Sequence, residues 1–286
     1  MTDLLGPVPF DYASRSPGAP LERFVETIWY ARGTIPYTRE KIAPTGSTVA
    51  VIILGDPIRQ TPDNGDGQTI TSDRGFLIGP HDGPTVNEPT GETFALGIVT
   101  TPVGCTPVFG IDPGELRGRA VLLEDWWPPA AELGERLRAE SDPAAMMDLV
   151  EAAVRDGLQP ELAGLDRCER AVELLEDDPI RPVSDIAADV GVSHGHLDRE
   201  FTRVVGLTPR AVARLLRMRR LLERIDIRDT VGWSDLAAEL GWYDQAHLIR
   251  DFKRHTGVTP TDYLAAQRAT YTTEEPGDAA GFVPEP

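Results

Sequence analysis

Arg199 and Arg250 stand 51 positions apart, each two residues after a leucine and two before a phenylalanine. A rigidly presented arginine can bond guanine through two parallel hydrogen bonds, a glutamine can do the same for adenine, and an apolar side chain can touch a thymine methyl. His194, Gly195, Asp198 and Arg199 form the first candidate reading set. Gln245, Ala246, Ile249 and Arg250 form the second, with Gln245 as far ahead of Arg250 as His194 is ahead of Arg199. Arg203, Lys253 and Arg254 lie further along the same stretches, where contacts to phosphate are the natural role. A lone arginine on a helix is usually just solvated. Recurrence at the same place in two copies of one pattern is what raises these above that reading.

The pattern that must position them is SDIAADVG-VSHGHLDREFTRVVGLTP, repeated as SDLAAELG-WYDQAHLIRDFKRHTGVTP. Asp185, Ile186, Ala187 and Gly191 recur as Asp235, Leu236, Ala237 and Gly241, 50 positions on, and Leu197, Phe201, Gly206 and Pro209 recur 51 positions on. The one-residue shift falls in the turn after the glycine, so the copies are duplicated structure rather than a chance match. A small residue where two helices cross (Ala187, Ala237), a turn glycine (Gly191, Gly241) and apolar anchors (Leu197 and Phe201, Leu248 and Phe252) are the parts of a helix-turn-helix. Its second helix offers N-terminal side chains to a DNA major groove. Ser184, Ser193, Ser234 and Asp244 stand where N-caps are wanted. Thr208-Pro209 and Thr259-Pro260 pair a capping threonine with proline at the first helical position. Trp233 and Trp242 read as core. A helix from Pro209 to Ile225 would join the two units. At about 26 Å, plus the width of the flanking motifs, it could hold two reading helices about 34 Å apart, one turn of DNA. A rigid pair at that spacing would need bent DNA to seat both.

The first half is of another kind. Thr48–Gly55, Thr69–Thr71, Phe76–Gly79 and Thr93–Thr100 read as short strands between Gly/Pro turns, with Leu21–Tyr30 a strand or short helix. Residues 1–20 read as an irregular arm and 62–68 as a loop. Trp126–Ala139 and Pro143–Leu158 carry apolar residues at helical spacing. The expected fold class is α+β in two domains. A β-rich antiparallel barrel or sandwich with trailing helices spans 1–160. An all-α domain of two helix-turn-helix units and a linker helix spans 165–269. Residues 270–286 are expected to be a disordered acidic tail.

Charge complicates the reading. The chain carries −18 overall. Residues 1–164 hold 12 basic and 24 acidic groups, 165–270 hold 16 and 18, and the remainder holds four acids. The repeat is thus close to neutral, and affinity from neutralised phosphates should be modest and steeply salt-dependent. The linker arginines (Arg210, Arg214, Arg217, Arg219, Arg220, Arg224) surround their helix, so some must pair with acids such as Glu223 or face the first domain. In the first copy Asp198 and Glu200 flank Arg199. The second copy should therefore supply much of the backbone anchoring, with the first reading mainly through Arg199 and His194.

Catalytic readings are weak. A metal site in such a barrel would typically draw on two or three histidines and a carboxylate, and the first domain has only His81. Cys105 and Cys168 are the only cysteines and form no CxxC. No metal, cofactor or catalytic residue is expected, and a reducing cytoplasm fits. No apolar run is long enough for a membrane span. Trp29, Tyr30, Phe76 and Phe94 suit a barrel interior, where aromatics are mostly core.

The segment 165–267 resembles the C-terminal domain of the AraC/XylS family of transcription regulators. GWYDQAHLIRDFKRHTGVTPTDYL, Gly241 to Leu264, matches the family's second-motif signature closely. The resemblance implies two helix-turn-helix units joined by one helix, with base contacts at His194, Gly195, Arg199, Gln245, Ala246 and Arg250. The first half resembles the cupin-like domain that precedes some such regulators, on PLERFVETIW, the strand run and Gly75–Gly79. Expected partners are double-stranded promoter DNA, a small-molecule effector or a second copy of the chain at the first domain, and RNA polymerase for an activator. Membrane is not expected. The alternatives are a protein-interaction adaptor with a degenerate DNA-binding domain and, further off, a metal-dependent cupin enzyme.

Overall fold

The computed structural model describes residues 10–35, 37–62, 68–270 and 281–285. The first half builds two antiparallel sheets from β1 (Asp11–Arg15), β2 (Val25–Gly33), β3 (Arg39–Ile42), β4 (Val49–Ile53), β5 (Ile58–Pro62), β6 (Ile70–Ser72), β7 (Gly75–Ile78), β8 (Thr85–Pro89), β9 (Thr93–Thr100) and β10 (Ala120–Leu122). One sheet runs β1-β2-β9-β4-β7-β10, and β3-β8-β5-β6 lie in the other. Most of the expected strands are present. The arm expected over 1–20 contains β1, paired with β2 from Asp11↔Arg32 to Arg15↔Ile28. The stretch from Leu21 is both things expected of it, a short 3₁₀ turn at Leu21–Arg23 followed by β2. Much of the expected loop at 62–68 lies outside the described residues.

Apolar residues from both sheets, including Val51, Ile53, Ile58, Phe76 and Ala95, close on one another as an inter-sheet core. Trp29 folds over Gly97, its partner across the β2–β9 ladder. A Cβ at Gly97 would come within 2.0 Å of the indole, so only glycine fits there. Helices α1 (Cys105–Phe109), α2 (Pro113–Leu116), α3 (Leu123–Trp126), α4 (Pro129–Arg138) and α5 (Pro143–Gly157) follow. Met146, Val150 and Val154 of α5 and Leu133 and Leu137 of α4 are buried in the larger core, as their spacing predicts.

The repeat folds as α6 (Leu165–Asp177), α7 (Val183–Asp189), α8 (His194–Val205), α9 (Pro209–Glu223), α10 (Trp233–Glu239), α11 (Gln245–Thr256) and α12 (Pro260–Thr270). The overall architecture is α+β, antiparallel sheets followed by a helical helix-turn-helix region. The expected boundary at 160–165 falls in the turn between α5 and α6, but apolar packing continues across it. One core runs from Leu21 through α6, α7 and α8 to Leu215 on α9. A second begins at Met218 on the same helix and holds α10, α11 and α12. The first helix-turn-helix therefore shares the core of the β-rich half, and the second has its own.

The tail departs from expectation. Residues 271–280 lie outside the described residues, but Phe282–Glu285 forms a strand, β11, antiparallel to β3 at the edge of the second sheet. Composition alone suggests disorder. Three tertiary contacts override it: Val283 is buried in the second core, Glu285 pairs with Arg39 and Lys41, and Gln267 on α12 donates to the Phe282 carbonyl.

Candidate functional site

The two helix-turn-helix units are built alike to the level of single hydrogen bonds. Gly191 and Gly241 take left-handed φ values of 77° and 81°. That turn lets Val192 N–H reach the Ala187 carbonyl at 2.9 Å and Trp242 N–H reach the Ala237 carbonyl at 2.8 Å. Ser193 caps α8 by accepting from His196 N–H, and Asp244 caps α11 by accepting from His247 N–H. Thr208 and Thr259 cap α9 and α12 as expected. Ser184 and Ser234 do not cap. Their helices begin one residue earlier, at Val183 and Trp233, and their hydroxyls donate instead to Asp185 and to the Gln245 side-chain carbonyl. Leu197, Phe201, Leu248 and Phe252 are all fully buried, which fixes the opposite face of α8 and α11 outward. Trp242 is buried, and Trp233 packs edge-on against Phe252 at 5.8 Å.

His194, Gly195 and Arg199 are exposed on α8, and Gln245, Ala246, Arg250 and Lys253 on α11, with Asp198 and Ile249 half-buried beside them. The acids flanking Arg199 are engaged elsewhere: Asp198 faces His194 at 3.5 Å, and Glu200 takes Arg167 at 2.6 Å. Arg199 and Arg250 form no ion pair with a described residue. Arg203 and Arg254, which occupy equivalent places in the two copies, are both held by the protein itself. Arg203 donates to the Ala163 carbonyl, and Arg254 pairs with Asp82 at 2.7 Å. The linker arginines divide as their distribution requires. Arg219 bridges Glu26 and Glu223, and Arg224 grips Glu239 with two hydrogen bonds. Arg217 pairs with Asp251 and stacks on Trp242 at 4.4 Å; burial lowers its pKa and the Asp251 carboxylate opposes that. Arg220 donates to the carbonyls at the end of α6, and Arg214 reaches Asp82 at 3.5 Å.

The second helices of both units, α8 and α11, end against the β-rich half. Gly206 closes α8 beneath Pro80 and Pro113, where a Cβ would meet Pro80 at 2.5 Å. Gly257 closes α11 beneath Lys41 and Pro84, where a Cβ would meet Lys41 at 2.7 Å. The loop between β7 and β8 therefore touches both units: Pro80 at α8, Pro84 at α11, and Asp82 bridging α9 and α11 through Arg214 and Arg254. His81 in the same loop lines a cavity between the two sheets.

That cavity measures about 590 Å³, in the range of small-molecule sites. Tyr12, Trp29, Val51, Ile58 and Phe282 contribute apolar wall, and Glu40, Gln60, Asn87 and Thr93 contribute polar groups. Of the four aromatics singled out in the sequence, only Trp29 lines it. Phe76 and Tyr30 are core, and Phe94 packs edge-on against Tyr30. His81 holds the Gly79 carbonyl and the Thr85 hydroxyl with its two ring nitrogens, and burial keeps its pKa below the usual histidine value. Burial also pushes both thiols up to about 12, and Cys105 points at the Ile111 carbonyl, so neither is a thiolate at neutral pH.

Residues 186–266 match the profile of a helix-turn-helix domain family, and residues 14–122 match a domain of unknown function (DUF6597). The C-terminal region is an AraC-type helix-turn-helix domain, and the class of protein is a DNA-binding transcription regulator. Among solved structures, ToxT from Vibrio cholerae is similar at 12% identity over 90% of this chain and 98% of that one, with a TM-score of 0.47. Unsaturated fatty acid-bound ToxT is similar at 13% identity over 96% and 100%, with a TM-score of 0.48. An AraC-type regulator from Chromobacterium violaceum is similar at 27% identity over 37% and 95%, with a TM-score of 0.32. No curated protein matches the chain in sequence.

Sequence reasoning did not single out Asp82 or the polar row Glu40–Asn87–Gln60. The row is assembled from three strands distant in sequence, and no local spacing announces it. A lone aspartate beside prolines in a turn has no signal at all.

Proposed function

We propose that the chain reads promoter DNA through two successive major grooves, α8 entering one and α11 the next, and that a small molecule in the inter-sheet cavity adjusts that grip. The carrying observation is the pair Arg199 and Arg250: exposed, without ion-pair partners among the described residues, and at equivalent places on helices held at either end of α9. At 15 residues, α9 is about 22 Å long, and the half-widths of the flanking units bring the reading helices toward one DNA turn apart. His194, Gly195, Gln245, Ala246 and Ile249 complete the base-facing set, with Asp198 beside them. Lys253 supports a phosphate contact directly. Arg203 and Arg254 must first leave their intramolecular partners.

Residues 1–160 then serve as the effector domain and 165–269 as the DNA-binding domain. The β7–β8 loop is the route between them, because His81 faces the cavity while Asp82 holds α9 and α11. Rearrangement of that loop on ligand binding would release Arg254 and alter the seating of α11. The near-neutral repeat also favours a second reading, an interaction adaptor without DNA. Selection of bound genomic fragments at two salt concentrations separates the two. A regulator enriches a common sequence and loses affinity steeply with salt, while an adaptor enriches nothing at either concentration.

A further inference from the structure

The polar side of the cavity is a single row across three strands. Asn87 on β8 is the cross-strand partner of Glu40 on β3 and of Gln60 on β5. All three line the cavity, and Glu40 and Gln60 are almost completely buried. The hydrogen bonds run in one direction. Tyr37 O–H donates to Glu40 Oε2 at 2.7 Å, and Asn87 Nδ2 donates to Glu40 Oε1 at 2.8 Å. With its amide nitrogen turned to Glu40, Asn87 offers its carbonyl to Gln60 Nε2. Gln60 Oε1 is then left over, buried and without a partner. The row thus ends in acceptors: one orphaned amide oxygen and the remaining lone pairs of a carboxylate. A buried acceptor without a donor is costly, which marks this row as built for a donor.

The rest of the lining sets the sign of that donor. Among the described lining residues Glu40 is the only acid, and there is no lysine or arginine. Burial raises the Glu40 pKa above the ordinary carboxylate value, against the Tyr37 and Asn87 hydrogen bonds, so a ligand carboxylate would meet no cation here, whereas a cationic ligand would hold Glu40 ionised. The remaining wall is mostly aromatic and aliphatic, broken by threonine hydroxyls such as Thr93 and by neutral His81, with Trp29, Tyr12 and Phe10 able to lie against a flat or chain-like apolar body.

Building on the reading of this cavity as the effector site, we infer that its ligand is a hydrophobic amine, an apolar body carrying a donor nitrogen that seats on Glu40 and Gln60. A protonated amine fits best, since it supplies up to three donors and the charge that Glu40 lacks a partner for.

Three probes of one shape test this by calorimetry on the full chain at neutral pH: phenylbutylamine, phenylbutanol and phenylbutyrate. The amine should bind at least about tenfold more tightly than the alcohol, with the acid weakest. Glu40→Gln should remove that preference, bringing the amine to the level of the alcohol measured on the same variant. Gln60→Leu should weaken amine binding too, and it carries the test if the Glu40 variant melts early. Alcohol or acid binding as tightly as the amine would overturn the head-group assignment and leave the cavity standing as a ligand site. No binding of any probe up to about 1 mM, where a drug-sized pocket should respond, would overturn both.

Discussion

Replacing Asp82 with asparagine should tighten DNA binding. Asp82 sits in the β7–β8 loop and holds Arg254 at 2.7 Å and Arg214 at 3.5 Å. Burial pushes its carboxyl up, but the opposing pull of the two arginines, Arg254 foremost, is larger and keeps it below the usual carboxylate range. Asparagine preserves the shape and removes the charge. A well-formed charged hydrogen bond contributes about 1.5–3 kcal/mol when shielded, and an exposed ion pair about 0.2–1 kcal/mol. With Asp82 29% and Arg254 54% exposed, solvent screening brings this contact to about 1 kcal/mol. Release of Arg254 ahead of DNA contact would then cost that much less, a gain of about fivefold in affinity. Fluorescence anisotropy on a duplex recovered by genomic selection would read it. Adding Arg254→Ala to Asp82→Asn should abolish the gain and reduce the salt slope by about one, the signature of a lost phosphate contact. Unchanged or weaker DNA binding by Asp82→Asn, with an unaltered melting temperature, would refute the idea that this contact restrains α11.

Other consequences follow from single residues. Arg250→Ala should cost about 1–3 kcal/mol of specific binding and relax preference at one or two base pairs; an unchanged preference in a selection on that variant would remove Arg250 from the base-reading set. Phe252→Ala should destabilise the second core by about 3–5 kcal/mol, whereas Gly191→Ala, which meets nothing within 4 Å but has φ +77°, should cost only about 1–2 kcal/mol from backbone strain. Chemical denaturation of the two variants gives the comparison. Stability should also fall in mild acid. Burial holds the His255 pKa below its ordinary value, with Asp251 and Asp82 opposing that. The unfolded chain therefore takes up a proton near pH 6.5 that the fold resists. The contribution of neutral His255 is complete above that pH and is lost as pH drops toward its folded pKa. Melting followed from pH 8 to pH 5 should show a shallower decline in His255→Gln than in the parent protein.

The helix-turn-helix region was legible in the sequence because its determinants are local. Gly191 and Gly241 make the turns, Ser193 and Asp244 the caps, and leucine and phenylalanine at helical spacing the buried faces. The cap assignments failed only at Ser184 and Ser234, where the helix starts two residues earlier than a serine cap requires and the hydroxyl has a side-chain partner. The β-rich half was legible in outline. The continuous apolar run of β4 announces itself, whereas the half-polar strands β3, β5 and β8 do not. Those three strands build the polar wall of the cavity, so the site was hidden with them. The tail strand β11 was missed for a related reason, since Val283 and Glu285 acquire meaning only from α12 and from Arg39 and Lys41. The flanking acids of Arg199 were visible in sequence, but not that Arg167 draws Glu200 away.

The central claim is that two equivalent helices read two successive major grooves. Methylation interference on a selected duplex tests it most directly, because methyl groups on guanine N7 block major-groove contacts alone. The parent protein should show two patches on one face of the duplex, centred about 10–10.5 base pairs apart. Arg199→Ala should erase one patch and Arg250→Ala the other. A single patch sensitive to only one of the two arginines, or interference unaffected by either, would contradict the account.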